Sequence, residues 1–352
     1  VEQLSRRSRG LLAGAYLLLV LAVVTDLLTG PTTTVSPVLA SVPVLAASGT
    51  RRVHVPLIAG AIALATASLL WAQNGSLPSS VHLAAIAAIA ATTLASGAHV
   101  AVVTAREQEL RQVRSVAEAA QLALLRPVPA RLGPLRIAVR YQAAAPEAQI
   151  GGDLYEALDT PFGVRVLLGD VEGKGLGAVE TAADVLGAFR EAAVAEPDLA
   201  TVAERLDAAV ARRAGEERFV TAVLLAVPPA PHPALLVTCG HPPPLLLTRT
   251  GQARELLPTA PSPPLGLLAL TGGHYTAEPF DLRRGELLLL YTDGLSESRD
   301  TTGTFYPLAT RLTDLPVPNP EALLDHLITD VTRYTGGLPT DDSALIAIRR
   351  DG

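Results

Sequence analysis

Between Arg52 and Arg106 the chain carries no charged side chain, and between Arg9 and Arg51 it carries only Asp26. A water-soluble domain must place polar groups on most of its outer positions, so a first third this poor in charge demands another solvent. Four apolar segments fill it: Leu11 to Leu28, Val35 to Gly49, Val53 to Ala72 and Val81 to Ala105. The first, third and fourth have the length of a bilayer-spanning helix. The second is short and carries Pro37 and Pro43.

Charge placement fixes the expected count. With four spans, Arg6, Arg7 and Arg9, the Arg51-Arg52 loop and the Arg106, Arg111 and Arg114 segment all share one face. The loops Thr29 to Thr34 and Gln73 to Ser80, which hold no basic residue, fall on the other. That satisfies the positive-inside rule at every loop, whereas three spans would put the two basic ends on opposite faces. The expectation is a multi-pass anchor over residues 1–104 in the plasma (inner) membrane, with Val35 to Gly49 a thin or tilted span. The rest of the chain then lies in the cytoplasm. A signal peptide explains the first segment alone, but not those that follow. His54, His82 and His99 fall near the expected span ends and suit an interfacial position.

Residues 105–130 read as a connecting helix. Leu110, Val113, Ala117, Ala120 and Leu124 recur at spacings of three and four, an a/d seam over two heptads. The seam suits a homodimer that passes a signal from the membrane, and equally a helix packed on its own domain. Pro127, Pro129 and Pro134 close it.

From residue 131 to 352 the pattern changes to short strand-like runs: Leu135 to Tyr141, Gly163 to Leu168, Phe219 to Val227, Ala234 to Thr238, Pro244 to Thr248, Leu287 to Tyr291 and Ser343 to Arg349. Helical patterns cover Gly177 to Val194, Leu199 to Arg213 and Pro318 to Tyr334. Strands in clusters with helices grouped between them predict antiparallel sheets with helices layered outside. The net charge of -6 argues against nucleic acid as a partner, and the lone Cys239 rules out an internal disulfide or a cysteine-based metal cluster.

Carboxylates gather at strand ends in this half. Asp153 and Asp170 follow glycines in the Gly-rich stretch Ile150 to Gly177. Asp293 follows the apolar run Leu287 to Tyr291, and Asp341 and Asp342 precede the last strand. Taken singly, each reads as an ordinary turn aspartate. Converging at one end of a sheet they would repel one another unless cations lay between them. Oxygen donors without His or Cys favour Mg²⁺ or Mn²⁺ over Zn²⁺, and two such ions could clamp a phosphoryl group. Gly169 to Gly175 is no P-loop, because only three residues separate Gly169 from Gly173-Lys174 and a Gly follows the Lys. Gly240-His241-Pro242 reads as a structural turn ahead of a catalytic His.

The motifs Ile150-Gly-Gly-Asp-Leu-Tyr-Glu, Gly169-Asp-Val-Glu-Gly-Lys-Gly, Phe219-Val-Thr-Ala, Cys239-Gly-His-Pro-Pro-Pro, Pro264-Leu-Gly, Tyr291-Thr-Asp-Gly-Leu-Ser-Glu and Asp341-Asp342 stand in this order. Together they resemble the metal-dependent Ser/Thr protein phosphatases of the PPM family, in the bacterial branch similar to SpoIIE and RsbU. The resemblance implies that the α-helical membrane anchor of about four transmembrane helices read above is followed by an α+β PPM phosphatase domain, an α-β-β-α sandwich. It implies a site for two Mn²⁺ or Mg²⁺ ions, with Asp170 bridging them and Asp153, Asp293, Asp341 and the Val171 carbonyl completing the metal shell. Asp170 and Asp293 would be the catalytic pair, and Asp342 the lesser choice at its position. Glu156 departs from the family's Asp, Ala344 from its common Thr, and Arg140 is the nearest substitute for a phosphate-binding Arg found in other branches. The implied activity is hydrolysis of phosphoserine or phosphothreonine on a STAS-type anti-sigma-factor antagonist. The competing expectation is a receptor that uses the fold only to bind a partner. Membrane lipid and a second copy of the chain complete the expected partners.

Overall fold

The structure, a computed structural model, describes residues 6–29, 33–73, 78–142, 151–212, 218–229, 232–313, 315, 319–337 and 341–351. It divides into two compact units, residues 1–113 and 114–352.

The first unit is helical. Helix α1 (Arg6–Thr29) is followed by a 3-10 turn (Ser36–Ser41), α2 (Val42–Ser48), α3 (His54–Gln73) and most of α4 (Ser79–Leu124). Two helical stretches among the described residues, His54–Gln73 and Ser79–Gln112, are long and apolar enough to cross a membrane. The apolar stretches Ala13–Thr29 and Ser36–Ser48 are shorter. The stretch at 35–49 is split into a 3-10 turn and α2, each with a proline in its first turn, and at 1.5 Å per residue the seven-residue α2 rises about 10 Å, a third of the hydrocarbon thickness. Two of the four expected spans therefore meet the requirement.

Within this unit Asp26 is buried and accepts from the Val35 amide at 2.7 Å, which ties the α1 end to the 3-10 turn. The Arg51 guanidinium lies 3.0 Å from Glu107, and the Thr104 hydroxyl donates to the Arg51 carbonyl at 3.2 Å. The 50–52 loop and the 104–107 segment thus sit side by side. His82 is buried, and its ring stacks on that of Trp71 with centroids 5.4 Å apart.

The connecting helix does not start afresh at 105. It is the C-terminal part of α4, which runs 46 residues without interruption because Ala, Leu, Glu, Gln and Arg dominate past Gly97 and no proline intervenes. Of the seam, Val113 and Ala117 lie outside the described side chains. Leu110 is exposed, and Leu124 packs onto the second unit's own core.

That second unit is an α-β-β-α sandwich. Its elements are β1 (Arg131–Leu132), β2 (Leu135–Gln142), β3 (Leu154–Thr160), β4 (Gly163–Val171), α5 (Leu176–Ala195), α6 (Leu199–Ala211), β5 (Val220–Val227), β6 (Ala234–Cys239), β7 (Leu245–Leu247) and β8 (Ala253–Glu255). There follow α7 (Leu268–Thr271), β9 (Glu278–Phe280), β10 (Leu287–Tyr291), α8 (Asp293–Ser296), α9 (Leu308–Leu312), α10 (Pro320–Thr335) and β11 (Ser343–Arg350). One sheet has the order β1-β2-β11-β10-β7-β8, the other β3-β4-β5-β6-β9, and every neighbouring pair of strands is antiparallel.

Side-chain alternation assigns the layers. Along β4, Val164, Val166 and Leu168 face the other sheet, meeting Leu288, Leu290, Ile346 and Ile348. Leu167 and Val171 face the opposite way, onto Val185, Leu186 and Phe189 of α5 and Leu199 and Leu206 of α6. The outer face of the first sheet, through Leu287, Leu289 and Leu345, is covered by Leu323, Leu324 and Leu327 of α10. Strands such as β10, buried on both faces, therefore read as unbroken apolar runs.

Candidate metal centre

Antiparallel pairing decides where the carboxylates go. Leu154 opposite Gly169 places Asp153, just before β3, beside Asp170 near the end of β4. Tyr291 opposite Leu345 places Asp293, just after β10, beside Asp341 and Asp342, just before β11. The two pairs belong to different sheets. One hydrogen bond shows that these ends face each other, from the Thr292 hydroxyl to Asp153 Oδ2 at 3.1 Å. The Thr292 hydroxyl also accepts from the Ala344 amide at 2.9 Å, so Asp153 is held by the backbone pairing of the opposite sheet. Ala344, where a Thr was the expected residue, is fully buried and serves through its main chain.

Burial and mutual repulsion govern the charges. Burial first, and then the charge of Asp170, push the Asp153 carboxyl well above the ordinary range. Burial, followed by Asp293 and Asp341, raises Asp170 to about 7. Asp293 is raised by burial, Glu297 and Asp341. Among the described residues no three His, Cys, Asp or Glu side chains close in tightly enough to hold one ion.

The residues nevertheless fit hard divalent cations. Every candidate donor is an oxygen. A cradle is present as well: a Cβ on Gly152 would lie 2.5 Å from the Val171 carbonyl oxygen, so only glycine leaves that oxygen uncovered. Val171 itself is buried, and its amide donates to the Gly152 carbonyl at 3.3 Å.

Asp341 and Asp342 separate by role. Asp342 Oδ2 accepts from the Gly151 amide at 2.6 Å and the Tyr141 hydroxyl at 2.9 Å, which commits it to holding the Gly151-Gly152-Asp153 corner. Asp341 is half exposed, and its Oδ1 accepts from Lys174 Nζ at 2.8 Å and from the Asp342 amide at 3.0 Å. Lys174 stands on the loop between β4 and α5, where Gly173 and Gly175 take positive φ values of 97° and 83°. A cavity of about 580 Å³ opens beside Asp293 and Asp341, lined also by Glu297, Arg299 and Asp300.

Several supporting residues carried no sequence signal. Gln121, in the last turns of α4, donates to the Asp153 carbonyl at 3.3 Å and to the Tyr141 hydroxyl at 3.1 Å. Arg190 of α5 binds Glu156 through Nε at 2.7 Å and the Leu124 carbonyl at 3.0 Å. Glu156 therefore points toward the helices, away from Asp153 and Asp170, which explains why its extra methylene is tolerated. Arg140 is paired with Asp325 of α10 at 2.8 Å.

The second unit has known relatives. The family profile described as Stage II sporulation protein E (SpoIIE) matches residues 160–351. The RsbU and RsbW domains of Rv1364c from Mycobacterium tuberculosis are 28% identical, with a TM-score of 0.50, over 62% of this chain and 60% of that one. The SiaA-PP2C domain of Pseudomonas aeruginosa shares the fold at 19% identity and a TM-score of 0.58, over 70% of this chain and 98% of that one. So does the PP2C phosphatase domain of SpoIIE from Bacillus subtilis with a fragment of its regulatory domain, at 17% identity and 0.52, over 62% and 64%. The profile match covers more than half of the chain, which spans about 60% of the length of the RsbU–RsbW structure; the chain belongs to the SpoIIE family.

Proposed function

We propose that the chain is a membrane-anchored protein phosphatase, dependent on Mn²⁺ or Mg²⁺, that hydrolyses phosphoserine or phosphothreonine on a STAS-type anti-sigma-factor antagonist. The observation that carries the reading is the Thr292–Asp153 hydrogen bond, because it brings acidic strand ends of two different sheets to one place. Asp153, Asp170, Asp293, Asp341 and the Val171 carbonyl would hold two ions. Bound there, divalent ions supply positive charge against the phosphoryl oxygens and lower the pKa of an attacking water. The protein's own part is to fix the donors. Thr292 and Gln121 hold Asp153, Gly152 uncovers the Val171 carbonyl, and Lys174 and the Asp342 amide orient Asp341 through one oxygen.

The substrate assignment rests on the SpoIIE- and RsbU-like motifs. Anchoring rests on α3 and α4, whose outward faces expose Leu57, Ile58, Leu69, Leu83 and Leu94. The connecting segment 105–130 would report to the site through Gln121. The test is phosphate release from a phosphopeptide by the detergent-solubilised chain, with Mn²⁺ and after chelation. Release only with the metal supports the reading, and none with any divalent ion would favour a binding-only receptor.

A further inference from the structure

Three of the recurrent motifs contribute no carboxylate to the centre: Phe219-Val-Thr-Ala, Cys239-Gly-His-Pro and Pro264-Leu-Gly. The structure brings them together. Gly240 bridges to Ala222, Val220 bridges to Leu265, and a Cβ on Gly240 would meet the Pro264 ring at 2.7 Å. His241 projects from this junction and is buried. Its Nδ1 lies 3.0 Å from the Thr221 hydroxyl, and its Nε2 lies 3.1 Å from the Tyr291 carbonyl. A carbonyl only accepts, so Nε2 carries the proton and the neutral ring's Nδ1 accepts from Thr221. With both nitrogens engaged, the ring has no free position for a metal or for proton transfer.

Its two partners belong to opposite sheets, each next to an acidic end. Thr221 lies directly opposite Asp170 in the β4–β5 register. Tyr291 is two residues before Asp293, and its neighbour Thr292 donates to Asp153. Strand β7 pairs with β10 only as far as Leu289, so the Tyr291 carbonyl lies beyond the last strand pair on that side. His241, entering β7 through three prolines, supplies the missing donor there.

We propose that His241 is a positioning residue for the metal centre: one neutral imidazole ties the Asp170 strand to the Asp293 strand and sets the separation across which divalent ions must bind. The proposal rests on the metal-dependent reading above. A strut of this kind acts on donor geometry, as hydrogen-bonded partners of metal ligands do, where removal weakens binding about 10- to 100-fold. Thr221 is part of the same strut, and removing its hydroxyl alone must weaken binding in the same direction.

The test is calorimetric titration of Mn²⁺ into the detergent-solubilised full chain, with melting of the metal-free proteins run in parallel. His241→Ala and Thr221→Val are expected to weaken Mn²⁺ binding, His241→Ala by at least about tenfold. His241→Gln, whose amide can still donate to the Tyr291 carbonyl, is expected to recover part of the loss. Folded His241→Ala and Thr221→Val proteins that bind Mn²⁺ within twofold of the parent would overturn the proposal. If His241→Ala does not fold, Thr221→Val decides alone. Failure of the parent chain to bind Mn²⁺ at all would instead remove the metal-dependent reading, and the strut with it.

Discussion

Asp170 is the residue on which the site's electrostatics turn. Its carboxyl is raised to about 7 because burial and the charges of Asp293 and Asp341 oppose its ionisation. An amide of the same shape relieves that repulsion and removes a donor, so stability without metal and catalysis should move in opposite directions. Asp170→Asn is expected to raise the melting temperature of the metal-free protein and to cut Mn²⁺-dependent phosphate release by about 100-fold or more, and Asp293→Asn to cut release similarly. An Asp170→Asn protein with near-parental turnover would contradict the assignment. His241 has the opposite pH signature. Burial lowers its pKa from 6.5 to about 4. The unfolded chain therefore takes up a proton between those values while the native ring stays neutral, and stability falls as pH drops through that window. The slope is at most about 1.4 kcal/mol per pH unit. Denaturation curves of parent and His241→Asn across this range should differ by that slope. Parallel curves would mean that the ring is charged in both states.

At the scale of elements, legibility followed periodicity. Strands such as β10 and β11 were readable as unbroken apolar runs, and helices α5, α6 and α10 because apolar spacing near 3.6 survives in them. Strand β3 was not read. Its inward positions include Glu156, and a buried carboxylate breaks the alternation unless its partner is known. That partner, Arg190, is 34 residues away on α5. Glu156 is 4% exposed at its side chain, and Arg190 also satisfies the Leu124 carbonyl at the end of α4. Arg190→Met should therefore cost about 3 kcal/mol in chemical denaturation, because it strands a buried charge. Glu156→Gln in the same background should restore much of that loss. The acidic site was legible as four strand ends, since Asp after an apolar run leaves a local mark. Thr292, Gln121 and Tyr141 were not, because a hydroxyl or amide acting across tens of residues leaves none.

For the molecule as a whole, the chain divides into a first third with few charges and a remainder of ordinary polarity. Apolar side chains on the outer faces of α1, α3 and α4, among them Leu17, Leu21, Leu28, Leu69 and Leu94, are exposed well beyond what water tolerates in one patch. The full chain should sediment with membranes, resist extraction by high salt and alkaline carbonate, and dissolve in detergent. Release by salt alone would leave it a peripheral protein. One further property belongs to the entire sequence: of its 352 residues Lys174 is the only lysine, and its amine is engaged with Asp341. The sequence thus carries a single ε-amine handle, at the edge of the proposed metal centre. Apart from the chain's N-terminal amine, an amine-selective reagent can mark one position only. Peptide mass spectrometry of that adduct, with and without Mn²⁺, should show faster labelling with the ion as Asp341 exchanges one cation for another. Equal rates would mean that the amine never leaves its partner.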